Sequence, residues 1–298
     1  MKKDIAINYG GTNSRVGELL VNRLVPNHFI HAVGPFVFLD HLYPTEQKPK
    51  AAKPVSGEFA HPHRGIATFT YIFSGELEHF DSKGNRGTVG AGGAQWMKAG
   101  NGIIHDEGPS PAFQREGGLL HGTQFWINLP GKNKLEEGKY LALHSAEIPE
   151  IELPGDAGVV RVVIGKLGEK VSPVETYSEQ FIYHVKLNAK SSYVFKTQPG
   201  IEYAAFVPVK GVKINGSLHE NSDLVVFGPG GDEIVLENEA AEATELLLFG
   251  GEPYTEPIVA EGPFVMNSKA EIAEAYKDFF NGKYGTIDYE GTDVSLGG

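Results

Sequence analysis

Gly65-Ile66-Ala67-Thr68-Phe69-Thr70-Tyr71-Ile72-Phe73-Ser74-Gly75 is the stretch on which the fold turns. Its β-branched and aromatic residues stand between two glycines, the composition of a strand bounded by turns. A loose copy stands in the second half of the chain: Gly200-Ile201-Glu202-Tyr203-Ala204-Ala205-Phe206-Val207-Pro208-Val209-Lys210-Gly211. Each copy leads through a hairpin-like stretch into a glycine-rich turn, Gly90-Ala91-Gly92-Gly93 and Gly228-Pro229-Gly230-Gly231. A duplicated β-domain accounts for both.

Further strand-like runs lie on either side, among them Phe36-Val37-Phe38-Leu39, Thr123-Gln124-Phe125-Trp126-Ile127-Asn128 and Phe181-Ile182-Tyr183-His184-Val185-Lys186-Leu187. Glycine, proline, asparagine and aspartate punctuate them, the pattern of an all-β sandwich or barrel. Turn signals at Ser74-Gly75 and Lys83-Gly84-Asn85 flank a hairpin around 76–80. With 298 residues, the chain has length for two domains of ordinary size. The polar, turn-rich stretch 129–140 is the best linker and divides the chain into 1–134 and 135–298. One helix is expected near the end. Ser268 with Glu271 forms a capping box, Ile272, Ala275, Tyr276 and Phe279 share a face, and Gly282 stops it.

Composition narrows the function. The net charge of −12 opposes direct binding to nucleic acid or to anionic membranes. Without cysteine there are no disulfides, zinc–thiolate sites, iron–sulfur clusters or thiol nucleophiles. No apolar leader opens the sequence and no uncharged apolar run reaches about 18 residues, so a cytoplasmic protein is expected. Histidine is unevenly placed: nine of the eleven lie in the first 144 residues.

Four of these first-half residues carry the chemistry. Side chains two apart on a strand point to one face, so His61 and His63 converge, as do His105 and Glu107. If the two strands face each other inside a barrel, three imidazoles and a carboxylate surround one point. Neutral nitrogens and one carboxylate suit a divalent first-row metal and leave coordination positions open. Fe(II) is favoured, with Mn, Co, Ni, Cu or Zn as alternatives. Asp106 points away and is expected to be solvated or structural; Arg64 points away too, and a structural ion pair is expected for it. Trp96, Met97 and Phe125 are candidates for an apolar cavity wall, or plain core.

The detailed motifs resemble the pirin family of bicupins. They are His61-Pro62-His63-Arg64-Gly65, Gln95-Trp96-Met97-Lys98-Ala99-Gly100, Gly102-Ile103-Ile104-His105-Asp106-Glu107, Gln124-Phe125-Trp126-Ile127-Asn128-Leu129, Gly250-Gly251-Glu252-Pro253 and Gly262-Pro263-Phe264-Val265-Met266-Asn267. The resemblance covers nearly the whole chain from about Gly34. It implies two tandem cupin domains, with one metal, usually iron, in the first and none in the second. Carried over by position, its ligands are His61, His63, His105 and Glu107. Gln198-Pro199-Gly200 in the second half has no histidine. Where many relatives have a glutamate four residues after the second motif histidine, this chain has Ala67, which bears on proton handling rather than on ligation.

The resemblance implies a dioxygenase that opens quercetin-type flavonols with O₂ and releases CO. Glu107 then serves as general base toward the substrate hydroxyl. The alternative is an iron-dependent redox-sensing regulator that binds a transcription factor or metabolic enzyme. A metal-dependent isomerase of another cupin type is a third possibility.

Overall fold

The computed structural model describes residues 1–16 and 19–290. Ile66–Ser74 is a central strand, antiparallel to Ala94–Lys98 on one side and to Gly118–Asn128 on the other. Seven of its nine residues are buried, so it reads as a continuous run rather than an alternating one. Glu202–Val207 holds the corresponding place, between Asp223–Phe227 and Thr244–Gly251. The sequence echo is therefore a duplication of topology. The described residues are mostly strand, in two β-units of matching topology with a terminal helix.

The domains are not sequential halves. One compact unit comprises Met1–Ser14, Asn22–His41 and Ala146–Tyr254; the other comprises Arg15–Val21, Leu42–Ser145 and the chain from Thr255 onward. A division into 1–134 and 135–298 misses this exchange of ends, because strand pairing and side-chain packing decide it rather than chain order. Ile5–Tyr9 pairs antiparallel with Asp223–Phe227 and covers what would otherwise be an open sheet edge. At the other end, Phe264, Met266, Ile272, Ala275 and Tyr284 form a buried cluster with Ile104 packed against it.

The terminal helix runs Lys269–Phe280. Ser268 Oγ accepts the Glu271 N–H, and the Glu271 carboxylate returns to the Asn267 N–H and to Ser268 Oγ. Ile272 and Ala275 are buried as expected, and so is Asp278.

Two loop expectations come out differently. Lys83–Asn85 does turn a hairpin, from Glu76–Asp81 into Arg86–Gly90. The stretch 129–140 is not a linker: it belongs to the unit containing Leu42–Ser145, and Lys134 is buried within it. Lys134 Nζ donates to the backbone oxygens of Gly65 (2.8 Å) and Val265 (2.9 Å) and to Asn128 Oδ1 (2.5 Å). Lys132, Glu137 and Lys139 are exposed, while Lys134 serves as a buried tie. In the other unit the core follows strand alternation: Val160 and Val162, Phe181, Tyr183, Val185 and Leu187, Leu246 and Leu248.

Candidate metal centre

Two short strands build the site. His61–His63 runs antiparallel to Ile103–Pro109, with His61 opposite His105 and His63 opposite Ile103. The chain leaves the first of them through Gly65, at φ +79°, where a Cβ would stand 2.1 Å from the Val265 carbonyl oxygen. Only glycine fits, and the close approach lets the segment around Val265 lie directly behind the histidines.

The side chains of His61, His63 and His105 meet, with ring centroids 4.5–5.0 Å apart. One nitrogen from each lies within 4.8 Å of the others. Their tautomers are set from behind. His61 Nδ1–H donates to the Phe59 carbonyl at 2.7 Å, and His63 Nδ1–H to the Pro263 carbonyl at 3.0 Å. That leaves each Nε2 as a lone pair, the role such outer hydrogen bonds play around metal-ligating histidines. His63 Nε2 is buried and has no hydrogen-bond partner among the described residues. His105 Nε2 lies 3.1 Å from His61 Nε2, an approach that needs either a proton or a cation between two basic nitrogens. Burial, reinforced by the neighbouring histidines, lowers the His63 pKa to about 3 and holds His105 well below its ordinary value. Both rings are neutral at pH 7 and have no proton to shed before binding a cation.

Glu107 stands at one side of this trio. Its Oε1 accepts from Gln95 Nε2 and its Oε2 from Gln124 Nε2 (3.0 Å). Tyr140 Oη in turn donates to Gln95 Oε1 at 3.1 Å. Glu107 groups with His105 and with a histidine that sequence reasoning missed, His79. His79 sits opposite Glu107 in the strand ladder, with Nδ1 3.7 Å from Glu107 Oε1 and Nε2 3.2 Å from Asp81 Oδ2. Its ring stacks on Tyr140 at 4.3 Å and 11°. Burial pulls the His79 pKa down, but Asp81 and Glu107 outweigh it and hold it above the ordinary value. The alternation His79-x-Asp81 was a signal for this pair; its nearness to Glu107 was not visible without the strand pairing.

The flanking residues sort differently from expectation in places. Arg64 makes the expected structural ion pair, to Asp278 at 2.9 Å, within the same unit. Asp106 is structural but buried rather than solvated, accepting from the Gly57 N–H (2.8 Å) and Tyr289 Oη (3.0 Å). Trp96, Met97 and Phe125 are buried core. The aromatic ring against the histidines is instead Trp126, 4.9 Å from His63. Ala67 is buried, and no carboxylate occupies that position.

Three imidazole nitrogens gathered on one point, a buried unpartnered Nε2 among them, fit one divalent cation; Glu107 groups with His105 and His79 instead, meeting His105 at Nδ1 (3.8 Å). Comparison with known proteins agrees on the family. The Pirin model matches residues 18–127 and the Pirin C-terminal cupin domain model matches 182–285. A Pseudomonas aeruginosa protein named "Putative quercetin 2,3-dioxygenase PA2418" is 36% identical over 95% of this chain and 99% of its own length. Pirin-1 of Arabidopsis thaliana is 40% identical over 76% of this chain and 77% of its own. The crystal structure of quercetin 2,3-dioxygenase from Acinetobacter baumannii superposes with a TM-score of 0.88 at 33% identity, over 97% of this chain and all of that one. The chain belongs to the pirin family.

Proposed function

We propose that the protein is a metal-dependent dioxygenase that opens quercetin-type flavonols with O₂ and releases CO. Its first cupin domain would hold one divalent metal, Fe(II) first among the candidates, on His61, His63, His105 and Glu107. The observation that carries this reading is the convergence of three imidazoles, two of them tied at Nδ1 to backbone carbonyls so that Nε2 faces inward. The names of the relatives and of the superposed structure support the substrate class.

The metal would supply Lewis acidity toward the flavonol 3-oxygen and a place for oxygen to react. The remaining work belongs to the chain. Glu107 is the base for the substrate hydroxyl, accepting that proton at a carboxylate oxygen. Gln95 and Gln124 fix both oxygens of that carboxylate, so it meets the substrate already oriented. His79 lies behind Glu107 and Trp126 packs on His63, which hold the two sides of the site in place.

The test is elemental analysis of the purified full chain, followed by quercetin turnover under O₂ with the metal retained. The expected result is about one metal per chain and one CO for each flavonol consumed. Absence of CO under Fe, Mn, Ni, Co and Cu loading would overturn the enzymatic reading and leave redox-dependent protein binding as its successor.

A further inference from the structure

The second cupin domain lacks the histidines but keeps a cavity of about 550 Å³, inside the usual range for small-molecule pockets. Four aromatic side chains form its wall. Phe181 stacks on Tyr183 (4.7 Å, 21°), Tyr183 meets Phe195 (5.8 Å), Phe195 meets Tyr203 (6.3 Å), and Tyr203 returns to Phe181 (5.2 Å).

Polar groups sit within this wall. Gln180 lines the cavity, and its side-chain amide has no hydrogen-bond partner among the described residues and is not sealed from solvent. An amide that faces the cavity can be wetted there, and a ligand oxygen or hydroxyl can take the place of that water. Tyr203 Oη accepts the Gln198 N–H at 2.9 Å, and its own proton has no acceptor among the described residues. Charge at the cavity is balanced. Lys166 and Lys196 line it together with Glu179, and Lys196 is paired with Glu233. A ligand there gains nothing from a net charge.

We propose that this cavity is a second binding site, free of metal, for an uncharged planar aromatic molecule bearing a hydroxyl or carbonyl oxygen. The ring lies against the aromatic wall, and the oxygen pairs with the Gln180 amide and the Tyr203 hydroxyl. The site is independent of the metal centre and of the flavonol reading, because no residue is shared with either.

The probe is 2-naphthol, a neutral phenol with one oxygen and therefore no chelating pair for a metal. It is titrated into the full chain by calorimetry, and into chain carrying ¹³C-labelled valine methyls by NMR. The expected result is saturable binding at one equivalent with movement of the Val174 methyls, which line the cavity. Affinity should fall about tenfold in Gln180→Leu and in Tyr203→Phe, the loss of one hydrogen bond each, and stay within about twofold in His63→Ala. Absence of saturation, a silent Val174, or binding that disappears with His63→Ala overturns the proposal. The Val174 signal decides the matter in the unsubstituted chain even if a cavity variant fails to fold.

Discussion

The two cupin domains place the same strands in the same order and do different things at the same positions. Aligning Gly65-Ile66 with Gly200-Ile201 puts Lys196 where His61 stands and Gln198 where His63 stands. The ladders agree: His105 lies opposite His61 in one domain and Glu233 opposite Lys196 in the other. Two imidazoles 3.1 Å apart at Nε2 in the first become an ion pair in the second. A lysine and a glutamate satisfy each other, whereas two imidazole nitrogens facing each other leave a place for a cation. The uneven distribution of histidine along the chain is the trace of that difference. The second domain lines its cavity with Phe181, Tyr183, Phe195 and Tyr203 instead.

The largest expected effect breaks the comparison outright. His63→Ala removes the buried, unpartnered Nε2 and should reduce bound metal from about one equivalent to near zero, with the β-type circular dichroism retained. Gln198→Ala at the matching position should leave metal content unchanged. Equal occupancy in the two variants, read by elemental analysis after exhaustive dialysis, would remove the first domain's claim to the ligands.

A smaller effect tests how Glu107 is held. Gln124→Leu takes away the donor to Oε2 and leaves the four proposed ligands intact. Loss of such a supporting hydrogen bond typically costs about 10–100-fold in metal affinity. Competition with a chelator of known affinity measures it. Unchanged affinity would mean that Glu107 sits outside the metal's coordination sphere, leaving the three histidines to bind alone.

What the sequence disclosed follows the reach of its signals. His61 with His63, and His105 with Glu107, were legible because strand alternation operates over two residues. The duplication was legible because glycines bound both copies of the central strand. His79 escaped because its place opposite Glu107 is set by pairing between distant strands. Asp278 escaped because a charged residue on an amphipathic helix looks solvent-facing, and its buried partner, Arg64, is 214 positions away. Trp126 rather than Phe125 meets His63, a matter of strand parity that depends on which face of Gly118–Asn128 looks toward the site. The exchange of chain ends left no local mark at all, since it lives in the pairing of Ile5–Tyr9 with Asp223–Phe227.

The smallest expected effect concerns a device found behind the strand His61–His63. Lys134 ties the carbonyl of Gly65, two residues beyond His63, to Val265 and Asn128. Burial lowers its pKa from 10.5 to about 7. In the unfolded chain the amine stays protonated up to its ordinary value, so between about pH 7 and 10.5 the unfolded state binds more protons than the folded one. Stability then rises with pH across that window, by about 1 kcal/mol between pH 7 and 8. Lys134→Met lacks this group, so the stability gap between the native chain and the variant should widen as pH is raised. Urea unfolding of both at pH 6.5, 7.5 and 8.5 measures the gap. A gap that stays constant would show that three oxygens within 2.9 Å hold the ammonium charged against burial, which makes the tie an ionic one.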